Sequence, residues 1–201
     1  HSSPRRQRQM CIRDRSGTGA YTIVIASGDA TGSTAAEFNT INSATTVAID
    51  ASEVTALASS NLSDVKTLLT AANDTDQFTD STGKVSFGGL TAVAIADATV
   101  DVSDFNDAVT QANTATGKTT AANGGGATVF TLSNATAFNG GTAADFATLI
   151  TNEGKSLISG GITTQALTVD SGTIAVSAAN DLNTTTTGVV TATITEGDMS
   201  T

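Results

Sequence analysis

The stretch Thr142-Ala143-Ala144-Asp145-Phe146-Ala147-Thr148-Leu149-Ile150 decides how this chain is read. Thr142 stands three residues before an acid, the layout in which a hydroxyl accepts a free backbone N–H while the acid sits at the positive end of a helix dipole. Phe146, Leu149 and Ile150 then fall at i, i+3 and i+4, which is the buried face of a short amphipathic helix. The phrase therefore predicts a helix start.

The same phrase recurs at Thr34-Ala-Ala-Glu37-Phe38-Asn-Thr-Ile41, Asn61-Leu-Ser-Asp64-Val65-Lys-Thr-Leu68 and Asp101-Val-Ser-Asp104-Phe105, with a degenerate copy at Ala178-Ala-Asn-Asp181-Leu182. The marker acids at 37, 64, 104, 145 and 181 lie 27, 40, 41 and 36 residues apart. Four copies keep the cap residue. In the fifth, Leu182 runs into Thr184, Thr185, Thr186 and Thr187, four β-branched residues, and a turn is expected to replace the helix.

Between these phrases lie short alternating β-branched runs: Thr22–Ile25, Val47–Ile49, Val93–Ile95, Val129–Leu132, Leu167–Val169 and Val190–Ile194. They read as strands. Several resume after a polar break, Asp50 then Val54, Asp97 then Val100, and Asp170 then Ile174, which would turn the chain before the next helix. Alternating strands and helices imply an α/β fold of parallel strands with right-handed crossovers. Since no single unit can bury its own apolar side, the expected architecture is a repeat solenoid of about five degenerate strand-helix units over residues 16–201. A small doubly wound sheet and tandem Ig-like β-sandwiches are the alternatives; the sandwich would turn the helix phrases into loops.

Composition bounds the chemistry. The only His (His1), Pro (Pro4) and Cys (Cys11) lie in the first eleven positions, and Trp is absent. A Ser-His-Asp or Cys-His arrangement, a disulfide and the common zinc sites are thus excluded from the body. Residues 1–15 hold five Arg and one Asp, so the rest carries 4 Lys against 18 acids, a net charge of −14. Such a surface repels nucleic acid and anionic lipid, whose binding relies on Lys and Arg. No run approaches the roughly 18 apolar residues of a membrane span. A glycosidase using two carboxylates would want aromatic platforms, which one Tyr and no Trp make scarce. No enzymatic function, and no catalytic residue, is expected.

Two acidic groups invite a metal reading. Asp74, Asp76 and Asp80 lie in one polar stretch and are candidate calcium ligands, although the EF-hand layout is missing. Asp97, Asp101, Asp104 and Asp107 read as turn and helix-start acids. Gly124-Gly125-Gly126 precedes a strand and follows no phosphate-binding pattern, so a turn is expected there. Gly140-Gly141 is expected to let the chain enter a helix and Gly160-Gly161 to end one.

Two resemblances add to this. The opening HSSPRRQRQMCIRDR resembles a translated sequencing-adapter string, and residues 1–15 are expected to be an artefactual, disordered tail. The segments AAEFNTINSATTVAIDASEVTALA (35–58) and SAANDLNTTTTGVVTATITE (177–196) resemble degenerate Thr/Ala/Asp-rich repeats of large marine bacterial and cyanobacterial surface or type I-secreted proteins, of RTX-like or adhesin-like kind. The resemblance implies a spacer or adhesive stalk at the cell surface or outside the cell. Its partners would be neighbouring repeats and surface glycans or other cells. The calcium-binding nonapeptide of that company, GGxGxDxUx, is not matched here. The start without Met and the end in mid-pattern lead us to expect a fragment of a longer protein.

Overall fold

Capping explains where the helices begin. A computed structural model of the chain describes residues 23–25, 32–45, 49–73, 85–87, 89–113, 127–170 and 172–195. In α1 (Ala35–Ser43) Thr34 is extended at the N-cap, its hydroxyl takes the Glu37 N–H, and the Glu37 carboxylate takes the Thr34 N–H. The same reciprocal box opens α4 (Ala143–Gly154) with Thr142 and Asp145. In α3 (Val102–Asn113) Asp101 accepts the Asp104 N–H at 2.9 Å. The i, i+3, i+4, i+7 spacing is realised in α2 (Leu62–Asn73), which buries Val65, Leu68, Leu69 and Ala72.

One expectation fails here. The Thr-rich fifth copy is not a turn but part of α5 (Val176–Thr185), which starts five residues before Asp181 and has no side-chain cap. The Thr184 and Thr185 hydroxyls donate to the Asp181 carbonyl, giving these β-branched residues a rotamer that the helix accepts.

Eleven short strands accompany the five helices among the described residues: β1 (Ile23–Val24), β2 (Ile49–Ala51), β3 (Ala56–Ser60), β4 (Val85–Phe87), β5 (Ala92–Ile95), β6 (Thr99–Asp101), β7 (Val129–Thr131), β8 (Ala137–Gly141), β9 (Ile158–Ser159), β10 (Ala166–Val169) and β11 (Val190–Thr191). They form three sheets, ordered β1-β2-β4, β3-β5-β7-β9 and β6-β8-β10-β11. Every pairing is parallel, and within each sheet the neighbours follow in chain order. The fold is thus mixed α/β with parallel sheets. Ig-like sandwiches, which are antiparallel, are ruled out, and three separate sheets replace the single sheet of a doubly wound fold.

Register stacks like on like. Leu57, Val93, Phe130 and Ile158 are successive partners across one sheet, and all are buried. Val100, Phe138, Leu167 and Val190 do the same in another, with only Val190 half-buried. Each helix packs on the one that follows it, and Phe105 of α3 meets Phe130 edge-on at 5.5 Å. Burying a large apolar side chain stabilises by about 1.5–3 kcal/mol, so these columns hold each unit to its neighbours.

One glycine pair leads into a helix as expected, and the other does not end one. Gly140 and Gly141 are the last residues of β8, before the Thr142 cap. Gly160 and Gly161, at φ +99° and +68°, do not end a helix: α4 stops at Gly154, and they turn the chain after β9. Gly124-Gly125-Gly126 lies outside the described residues.

Candidate functional site

The structure draws its polar side chains to the seams between successive units. At the first three seams the residue two after the marker acid reaches across to the next helix. Asn39 donates to the Asp64 carbonyl at 3.0 Å, Asn106 donates to the Asp145 carbonyl at 2.8 Å, and the Lys66 ammonium pairs with the Asp104 and Asp107 carboxylates. The hydrogen bond to Asp104 is the main reason that Lys66 holds its proton above the usual lysine range, with desolvation opposing it. At the fourth seam, between α4 and α5, the matching residue is Ala147, which has no polar group to offer.

Helix starts are also completed from the next unit. The Ser60 hydroxyl accepts the Ala35 N–H at 2.9 Å, and Asp97 accepts the Leu62 N–H at 2.7 Å. Deeper along the seam, Asn152 of α4 donates to Asn106 of α3, and the Asn113 amide clamps Thr128 by bonding both its N–H and its carbonyl.

A third set gives five threonines a role in joining units. The hydroxyls of Thr91, Thr128, Thr136, Thr186 and Thr187 donate to the carbonyls of Thr55, Leu90, Ala98, Gln165 and Thr163, each in the preceding unit. In the sequence these residues read only as β-branched or hydrated. Their partners lie 21 to 38 residues away, beyond the reach of any local pattern.

Of the acids expected at turns and helix starts, Asp97, Asp101 and Asp104 are found there, while Asp107 lies in the second turn of α3. Asp97 and Asp101 accept helix N–H groups, while Asp104 and Asp107 share Lys66. Glu37 is held below the usual carboxylate range by its bonds to Thr34, the backbone N–H first, and Asp50 by the Ser52 hydroxyl and then its N–H. The calcium candidates Asp74, Asp76 and Asp80 lie outside the described residues. Among the described residues no three of His, Cys, Asp and Glu are grouped closely enough to hold a metal ion, and no helix is long and apolar enough to cross a membrane.

The arrangement can stack, register and bridge units. No known protein family, curated protein or solved structure matches the chain.

Proposed function

We propose that this chain is a non-enzymatic structural or adhesive repeat segment of a large exported bacterial surface protein, built as an α/β solenoid. One observation carries the reading: the same position of the phrase, two residues after the marker acid, links to the next helix at three consecutive seams. A repeated link between neighbours is what a stack of equivalent coils needs, since each coil contacts only the ones beside it. The acidic, Thr-rich surface keeps such a stack hydrated, and the likeness to surface-protein repeats supports a place outside the cell, with glycans or other cells as partners.

Removal of one unit tests this. Deleting residues 102–142 joins Asp101, the cap of α3, to Ala143, the first residue of α4, and shifts the chain by one 41-residue interval. A solenoid keeps its helix content and becomes shorter in small-angle scattering. A domain with one closed core would lose its cooperative transition, and that result sinks the proposal.

A second reading is a calcium-dependent ligand-binding module, favoured by three carboxylates in the stretch Asp74-Thr-Asp76-Gln-Phe-Thr-Asp80. A ligand bound only by the native state raises its melting temperature. Millimolar Ca²⁺ must therefore raise the melting temperature of the chain and leave that of an Asp76→Asn variant unchanged. Equal curves with and without calcium remove this reading.

A further inference from the structure

Helix α5 repeats the wording of α3 without the residues that anchor it. Counted from the helix start, Ala175-Val176-Ser177-Ala178-Ala179-Asn180-Asp181 lies against Asp101-Val102-Ser103-Asp104-Phe105-Asn106-Asp107, and four of the seven positions are identical. The three that differ are all alanine in α5. Ala175 stands where Asp101 accepts the Asp104 N–H, Ala178 where Asp104 pairs with Lys66, and Ala179 where the Phe105 ring meets Phe130. Helix α5 therefore starts with no side-chain cap and no acid in its first turn. Its packing is correspondingly thin: Val102 is fully buried, its counterpart Val176 is 42% exposed, and of α5 only Leu182 is buried. At the seam to α4 stands Ala147, so the link that joins the three earlier pairs of helices is missing as well.

We infer that α5 is a release point built into the fold: it unfolds by itself while α1 to α4 stay folded. Elements that open locally are those with few buried apolar contacts and incomplete ends. Its opening frees the chain between β10 and β11 and uncovers the flank of α4, without global unfolding. Lying outermost among the described helices does not account for this. Helix α1 is equally outermost, and it keeps its capping box, the buried Phe38 ring and the Asn39 link. The inference is independent of whether the units form a solenoid.

Hydrogen exchange of the full chain under native conditions, read by mass spectrometry, compares the two outer helices. Amides of α5 should exchange on the order of 100-fold faster than those of α1, the combined effect of a missing cap and a missing buried ring. The double variant Ala175→Asp, Ala178→Asp restores the cap and the first-turn acid of α3. It should slow α5 about fivefold and leave α1 as it was. Equal protection of α1 and α5 in the parent overturns the proposal. So does a folded variant in which α5 exchanges as before, or one that slows both helices alike, which would mean that α5 opens only with the whole fold. If the variant fails to fold, the comparison of α1 with α5 in the parent decides alone.

Discussion

The Asp97 carboxylate accepts the Leu62 N–H at 2.7 Å across 35 residues, so α2 is capped by an acid from the unit that follows it. Asn61 precedes the helix and supplies its carbonyl to the Asp64 and Val65 N–H groups. Cap and helix are therefore contributed by different units, and the cap forms only when both are docked. Asp97→Ala should lower stability by about 1 kcal/mol, the usual cost of a lost N-cap. Urea melts read this directly, and a change within error would mean that water replaces the carboxylate.

Gly140 sits between two such acids. Its N–H donates to Asp170 at 2.6 Å, its φ is +71°, and a Cβ placed on it would lie 1.8 Å from an Asp101 carboxylate oxygen. Asp101 is the cap of α3, so a methyl group here displaces a helix cap in the preceding unit. Gly140→Ala should destabilise by about 2–3 kcal/mol, combining the left-handed backbone penalty with the lost cap. The double variant with Asp101→Ala should cost less than the two single changes summed, because both remove one cap. Strict additivity would show that the two residues act separately.

Phe105 and Phe130 meet edge-on at 5.5 Å and 81°, joining helix α3 to strand β7 through fully buried rings. Phe105→Ala should cost about 3–5 kcal/mol, and Phe105→Leu, which keeps most of the volume, under about 1.5 kcal/mol. If the alanine variant loses less than the leucine one, the ring is not in the core. Circular dichroism during chemical unfolding supplies the comparison.

Helices α1 to α4 were legible because cap, acid and apolar spacing agree within ten residues, as at Thr142, Asp145, Phe146 and Leu149. β1, β2, β5, β7, β10 and β11 were legible from their alternating β-branched runs, whereas the short β4 and β9 lie in none of those runs. β3, Ala56-Leu-Ala-Ser-Ser60, and β8, Ala137-Phe-Asn-Gly-Gly141, were not legible either: their small residues have weak strand preference, and pairing with β5 and with β6 and β10 sets them. The seam links had a faint signal, since Asn39, Lys66 and Asn106 occupy one position of the aligned phrase. Their acceptors 25 to 41 residues away become visible only once the units are stacked. The fifth helix was misread because β-branching was weighed without the hydroxyl bonds that Thr184 and Thr185 make to Asp181.

Acid pH acts on a local cap and a local turn and alkaline pH on one seam, and the signs can be worked out. Glu37 and Asp50 have folded-state pKa values below their ordinary ones, so proton binding favours the unfolded chain. Their contribution is complete above the ordinary carboxylate range, about 4, and is lost as pH falls through the lower folded-state values. Lys66 is shifted upward, chiefly by Asp104. Its contribution is complete below the ordinary lysine value, about 10.4, and disappears as pH rises through the higher folded one. Urea midpoints measured across pH should therefore fall at both ends. Glu37→Gln should flatten the acid limb and leave the alkaline limb alone, while Lys66→Met should do the reverse. An acid limb unchanged in Glu37→Gln would mean that the capping box with Thr34 is not populated in solution, and the start of α1 would need another explanation.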